Sequence, residues 1–356
     1  MTAPRLEVHL DRIEHNTRAL VERLGPLGIE VCGVTKATLG SPEVAGAYLA
    51  AGATSLGESR IENVERLRHG GITAPITLVR SPMISQADRV VASADTSLNS
   101  EPDVVARLSA AAGALHRTHG IVLMVELGDL REGIMPGDLH DAVHRVLELP
   151  GLALRGIGTN LACQSGVIPD EANMAELTAL AVAVEAAFGI HLAVVSGGNS
   201  ANLPWAMTPG VDVGRVNHLR LGESLLLGRE PIGRSVVDGL RADACSLVGE
   251  VIESGRIPSR PRGARGRAAF GVPDDRPGDG FDEHRVIVAL GRQDLDVDGV
   301  VAQEGFEVLG ASSDHLVLRT TGPSPAVGSE IRLDVDYSAL LRAMTSPSVG
   351  RRYLRP

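Results

Sequence analysis

Lys36 ends an apolar run, Glu30-Val31-Cys32-Gly33-Val34-Thr35-Lys36, that reads as a buried strand carrying one lysine to its C-terminal end. An amine drawn out of water loses basicity and becomes able to condense with a carbonyl. A lysine that caps a strand end and reaches solvent is the commoner case, so the weight falls on what accompanies it. Ser196-Gly197-Gly198-Asn199-Ser200-Ala201 follows another apolar run; its small residues let backbone N–H groups approach an anion, and Ser200 adds a hydroxyl. Further on, Asn217-His218-Leu219-Arg220-Leu221-Gly222-Glu223-Ser224 carries Arg220 inside an apolar segment, where a charge needs a partner. That partner is either a buried carboxylate or a cofactor ring nitrogen, which a permanently charged guanidinium would keep unprotonated. Glu126-Leu127-Gly128-Asp129-Leu130-Arg131-Glu132-Gly133 is a tight charged turn in which Arg131 can grip a carboxylate bidentately. Thr159-Asn160 and Gly57-Glu58-Ser59-Arg60 add polar groups after two more apolar runs. His218 and His315 lack the HxH and HExxH spacings, and neither GxSxG nor a P-loop occurs, so no metal is expected.

These residues share one positional logic. Candidate strands at Glu30–Thr35, Ser55–Gly57, Ile76–Val79, Thr96–Leu98, Ile121–Leu127, Leu154–Gly158, Leu192–Ser196 and Asn217–Leu221 alternate with segments of helical apolar spacing such as Pro42–Gly52, Glu101–His116 and Asn173–Phe188. Eight βα units predict a TIM-like (β/α)8 barrel over residues 11–230, with an open doubly wound sheet as the rival. No GxGxxG follows the first strand, which weakens the rival. In a barrel the polar strand ends converge on the C-terminal rim, and the loops after the last two strands commonly hold a phosphate. Leu6-Glu7-Val8-His9-Leu10 is a strand surplus to eight. After residue 230 the rhythm changes to short runs between Gly and Pro turns: Ala244–Glu253, Val286–Leu290, Leu309–Gly310, Leu316–Thr320 and Glu330–Val335. A second, mostly β domain from residues 1–10 and 231–356 is therefore expected, with 254–283, rich in Arg, Pro, Gly and then Asp, as a surface loop.

Composition narrows the function classes. A net charge of −10 over 356 residues, with no basic stripe interleaved with aromatics, argues against nucleic acid. Cys32, Cys163 and Cys245 are far apart and lack CxxC spacing, which suggests a reducing compartment. No apolar signal core occupies the first twenty residues and no apolar stretch is long enough to span a bilayer, so a cytoplasmic protein without membrane contact is expected.

In the order and spacing of Val34-Thr35-Lys36, Gly128-Asp129-Leu130-Arg131-Glu132-Gly133, Gly198-Asn199-Ser200-Ala201 and Arg220-Leu221-Gly222, the chain resembles the alanine racemase family of fold type III pyridoxal 5'-phosphate enzymes, and within it most closely the ornithine racemases. The resemblance continues through Ala289-Leu290-Gly291-Arg292-Gln293-Asp294, Gly310-Ala311-Ser312-Ser313-Asp314-His315 and the stretch from Tyr337 to Ser346. It implies pyridoxal 5'-phosphate as cofactor, with Lys36 as the Schiff-base lysine and acid/base, and racemisation of ornithine or another basic amino acid. Ser200 and the Gly222-Glu223 backbone would hold the phosphate, with Asn199 beside them. Arg220 would face the pyridine nitrogen, and Asn160 stands where alanine racemases usually have a histidine near the ring. A head-to-tail homodimer is implied, in which each β domain completes the partner's site and Ser313 and Asp314 line the substrate pocket. Asp294, Asp296 and Asp314 are candidates for reading a distal amine. Three departures stand out: Met124 replaces a lysine, often carbamylated, that orients the arginine of the racemases; the C-terminal-domain tyrosine that is the second acid/base of alanine racemases has no match; and Ala268 occupies a position where ornithine racemases carry Asp. The alternatives are a D-amino-acid aldolase or lyase using the same cofactor, which generally needs a divalent metal, and a non-catalytic protein that binds the cofactor.

Overall fold

A computed structural model describes residues 2–267, 269–270 and 282–355. Ala268 lies outside the described residues. The chain divides into two units, Leu10–Ala242 and a second made of Met1–His9 with Asp243–Pro356.

The first strand, β1 (Arg5–His9), belongs to the second unit. The larger unit holds a closed parallel barrel of eight strands: β2 (Glu30–Val34), β3 (Ser55–Glu58), β4 (Ile76–Leu78), β5 (Thr96–Asn99), β6 (His119–Met124), β7 (Leu152–Gly158), β8 (Val194–Gly198) and β9 (His218–Leu221). β2 pairs with β9, with Cys32 opposite Arg220, and so closes the ring. The expected strands correspond to these eight within a few residues, and the doubly wound alternative falls because the ring has no edge.

With few aromatic residues, the barrel is filled by aliphatic side chains: Leu98, Val122 and Met124 form one buried cluster, with Val79 and Val194 packed on it. Close strand packing is bought with glycine at one crossing. A Cβ on Gly156 would lie 1.7 Å from the Val194 carbonyl oxygen of the paired strand. The long helix Glu171–Phe188 is opened by a capping box: Asp170 accepts from Asn173 N while Asn173 Oδ1 accepts from Asp170 N.

Two histidines lie inside the barrel at the starts of their strands. His119 Nε2 is 2.8 Å from Ser97 Oγ, and His218 Nδ1 is 2.8 Å from Ser196 Oγ. Burial pushes His119 down to about 4, and burial followed by the nearby Arg220 charge pushes His218 down to about 3. In the unfolded chain both titrate near the ordinary value of about 6.5. Below that pH the unfolded state binds more protons than the folded one, so the stabilisation is complete above about pH 6.5 and is lost as pH falls toward the folded values. The expected result is a urea midpoint that declines from pH 6.5 to 5 and flattens when both residues are replaced by glutamine. A midpoint indifferent to pH over that interval in the unaltered protein would contradict it.

The second unit is an antiparallel sheet built from β10 (Cys245–Pro258), β11 (Asp282–Val288), β12 (Val300–Ala302), β13 (Phe306–Ala311), β14 (Leu316–Thr320) and β15 (Glu330–Val335), ordered β12-β15-β10-β11-β14-β13. The N-terminal strand joins it, β1 running antiparallel to β10 and parallel to β16 (Gly350–Leu354). β10 is long enough to change partner: Cys245–Glu250 lie against β1 and β15, and Val251–Pro258 against β11 after a bulge between Val251 and Glu253. The expectation of a loop beginning at Ser254 is thus corrected, since Ser254–Ile257 pair with Val286–Glu283 as strand. Buried Glu7 knits this sheet. Burial alone would raise its carboxyl, but hydrogen bonds from Arg5 and Arg332 hold it below the usual carboxylate range.

Candidate active site

Lys36 follows β2 at its C-terminal end, as the first residue of a single 3-10 turn, Lys36–Thr38. The preceding Thr35 fixes that turn. Its carbonyl accepts from Thr38 N, Thr38 Oγ1 and Gly40 N, and its hydroxyl donates to Glu58 Oε2 at 3.1 Å. Glu58, fully buried at the end of β3, also accepts from Ser59 N at 2.6 Å, and burial raises its carboxyl. The lysine backbone is therefore held from two adjacent strands.

Arg220 lies in β9, 5% exposed. Nη2 donates to the Thr159 carbonyl at 2.8 Å and to Asn160 Oδ1 at 3.4 Å, and Nη1 donates to Ser196 Oγ. All three acceptors are neutral. Burial pushes the guanidinium down to about 10, which leaves it charged at neutral pH. Asn160 Oδ1 also accepts from Asn199 Nδ2 at 3.1 Å, whereas Asn160 Nδ2 is buried and has no partner among the described residues. Asn199 ties loops together: Nδ2 reaches the Leu161 carbonyl, and Oδ1 caps Ala201 N.

Ser200 opens the turn after β8, and its hydroxyl collects the N–H groups of Gly222 at 3.4 Å and Ser224 at 3.2 Å from the turn after β9. Ser200 Oγ is also 3.0 Å from Ser224 Oγ. The turns after the last two strands thus meet through the Ser200 hydroxyl, at the position where (β/α)8 barrels commonly hold a phosphate.

Arg131, in the loop after β6, is gripped from its own chain: Nε and Nη2 donate to the two oxygens of Glu132, and Nη1 is 2.6 Å from Cys163 Sγ. Met124 is buried in the apolar cluster, so the anion orienting this arginine is Glu132. Asp129, 1% exposed, accepts the N–H groups of Cys163, Gln164 and Ser165 and thereby binds the loop after β7 to the loop after β6. Cys163 is exposed, while Cys32 and Cys245 are buried and free.

In the β unit, Asp314 is exposed, and His315 Nδ1 lies 2.8 Å from its Oδ1. A Cβ on Gly291 would meet Asp314 N at 2.2 Å, so only glycine lets the Ser312–His315 turn close on this segment. Asp294 is spent on structure, accepting from Gly291 N and the Ser346 hydroxyl, and Asp296 accepts from Ser338 Oγ. No group of His, Cys, Asp and Glu suited to a metal occurs among the described residues, and none of their helices is long and apolar enough to cross a membrane.

Sequence reasoning placed Lys36, Asn160, Asn199, Ser200, Gly222 and Glu223 at strand ends and Arg220 inside the eighth strand, and the structure has them in or just after the C-terminal ends of β2, β7, β8 and β9. It missed Ser196 and His218 as the support of Arg220. A signal was there: residues 218 and 220 alternate on one strand and so share a face.

A lysine, a buried arginine and an N–H-bonded hydroxyl thus stand at the C-terminal rim of a (β/α)8 barrel, in a chain that also carries an antiparallel β unit. The alanine racemase N-terminal domain family matches residues 8–230. A lysine racemase from Thermotoga maritima is 39% identical and an ornithine racemase from Acetoanaerobium sticklandii 31%, each over 99% of both chains. The crystal structure of alanine racemase from D-cycloserine-producing Streptomyces lavendulae superposes with a TM-score of 0.78 at 20% identity, covering 100% of this chain and 98% of that one. D-threonine aldolase from Filomicrobium marinum shares the fold with a TM-score of 0.74 at 17% identity, covering 97% and 89%. The chain belongs to the alanine racemase family and is an amino-acid racemase. The expectation that ornithine racemases stand nearest is revised, because the lysine racemase shares more residues.

Proposed function

We propose that this racemase uses pyridoxal 5'-phosphate, the cofactor of its family, to interconvert the enantiomers of a basic amino acid, lysine or ornithine. The observation that carries the substrate class is the end-to-end similarity to a lysine racemase and an ornithine racemase. The residues present fit the cofactor: Asn160 Nδ2 is a buried donor awaiting an acceptor, Arg220 is a buried cation bonded to neutral oxygens, and Ser200 with the Gly222 and Ser224 N–H groups is a phosphate cradle.

When bound, the cofactor makes the α-hydrogen of an attached amino acid acidic. Lys36 then takes or returns that proton at Nζ on one face of the α-carbon. Arg220 would donate to the ring nitrogen without giving up its proton, so that nitrogen would remain an acceptor and less charge would be drawn into the ring. Ser200, Gly222 and Glu223 hold the phosphate end, with Asn199 fixing the loops around it. Arg131, released from Glu132, would meet the substrate carboxylate. The other face needs a second acid, and in a homodimer each β domain would present Ser313 and Asp314 to the other copy's site. Exposed Met83, Ile84, Leu130, Met135 and Ile168 all lie on loops after barrel strands, which suits a rim covered by a second copy.

The test is solvent-deuterium incorporation into a panel of L-amino acids, with chirality read on the same samples, using protein loaded with pyridoxal 5'-phosphate. Exchange with D-isomer formation confined to lysine, ornithine and close relatives is expected. Turnover of alanine in preference to both, or cleavage of a β-hydroxy amino acid to glycine without racemisation, would overturn the substrate class.

A further inference from the structure

The hydrogen bonds behind Arg220 define a short chain that the reaction itself does not use. Ser196 pairs in register with His218 across β8 and β9, and Arg220 lies two residues along β9 on the same face. Arg220 Nη1 and His218 Nδ1 both reach Ser196 Oγ. A guanidinium only donates, so one lone pair of Oγ is committed to Nη1. The hydroxyl keeps one hydrogen to give, and His218 Nδ1, at 2.8 Å, accepts it when it carries no proton. The imidazole is then neutral with its hydrogen on Nε2. A protonated ring would set a second cation against a hydroxyl already facing one, inside a barrel that burial has stripped of screening water.

The barrel uses a related device elsewhere. Asn99 Nδ2 donates to Ser97 Oγ at 3.0 Å, and Ser97 Oγ lies 2.8 Å from His119 Nε2. There a neutral amide occupies the place of the guanidinium, so a serine–histidine pair supports a polar rim residue with or without a charge on it.

We propose that Ser196 and His218 are positioning residues for Arg220: neutral His218 orients the Ser196 hydroxyl, and the hydroxyl fixes the guanidinium in the plane it presents to the cofactor. The effect on turnover rests on the function proposed above; the tautomer does not. A misdirected guanidinium would still neutralise charge but would meet the ring nitrogen off line, so the loss would fall on kcat more than on substrate or cofactor binding.

Two measurements test this. In cofactor-free protein labelled with 15N-histidine, with the His218 signals identified by their loss in His218→Asn, the ring is expected to be the neutral Nε2–H tautomer from pH 5.5 to 8. An Nδ1–H tautomer or an imidazolium in that range would overturn the proposal. In loaded enzyme, His218→Leu and Ser196→Ala are expected to lower kcat about tenfold or more, the scale of one lost buried hydrogen bond, with KM and cofactor Kd changed less than about threefold. His218→Asn, whose Oδ1 stands where Nδ1 accepts, should recover most of kcat; an equal loss in the asparagine and leucine variants would sink the proposal. Failure of the unaltered protein to bind pyridoxal 5'-phosphate would refute the function proposed above, and the tautomer would still decide the positioning role.

Discussion

Lys36→Ala is expected to abolish racemisation and to leave the protein folded. On the function proposed above, the substitution would remove both the amine that attaches the cofactor and the base that moves the α-proton, so the expected fall in kcat is at least about 10⁴-fold. The turn itself survives, because its geometry is set by Thr35: the carbonyl contacts from Thr38 and Gly40 and the hydroxyl bond to Glu58 involve no lysine side-chain atom. The melting temperature should therefore stay within a few degrees of the parent. Lys36→Arg keeps a cation in place but supplies no nucleophile at neutral pH, and it should be as inactive as the alanine variant. Partial return of α-deuterium exchange on adding a small primary amine to Lys36→Ala would show that the missing function is an amine. D-isomer formation above about one part in a hundred of the parent rate in Lys36→Ala would remove the lysine from the chemistry.

The sequence made the barrel legible because two signals coincide in it. Fully buried parallel strands leave near-continuous apolar runs; the polar residues Lys36, Asn160 and Ser200 fall just after such runs end, and Arg220 interrupts the last of them. The β unit was harder to read. β12 has three residues and β16 reads Gly-Arg-Arg-Tyr-Leu, so neither shows the alternation that marks a half-buried strand. β10 runs on through Ser254-Gly255-Arg256, a composition that suggests a loop, because pairing with β11 supplies its backbone bonds whatever the side chains. At the site, the identity of the rim residues was visible but their partners were not. Nothing in Gly-Asp-Leu-Arg-Glu-Gly says that Arg131 grips its neighbour Glu132, or that Asp129 turns away to collect three N–H groups from residues 163–165. Such bonds depend on loop paths that no periodicity encodes. The serine–histidine support of Arg220 needed the register of β8 against β9, which only the closed barrel reveals.

Arg220→Met separates the role of that arginine in the reaction from its role in the fold. Methionine has a comparable length and no charge, so the change removes the desolvation cost that pushes the guanidinium down to about 10. Against that gain stand three lost bonds, of which two acceptors keep other partners: Ser196 Oγ retains His218, and Asn160 Oδ1 retains Asn199 Nδ2 at 3.1 Å. The Thr159 carbonyl loses the 2.8 Å donor that Arg220 supplied. One weakened buried acceptor set against one relieved buried charge leaves stability within about 2 kcal/mol of the parent, of either sign. Catalysis has no such offset. The ring nitrogen would face an apolar side chain in place of a fixed donor, and the expected fall in kcat is about 10²-fold or more. Arg220→Lys should fare little better, because a single ammonium cannot reach Ser196, the Thr159 carbonyl and Asn160 together in the planar fork those acceptors require. The check is a urea melt beside racemisation kinetics for the three proteins. A methionine variant that unfolds would make Arg220 a structural residue, and one that turns over at the parental rate would remove it from the site; a folded, nearly inactive protein is the outcome that the buried, neutrally bonded guanidinium requires.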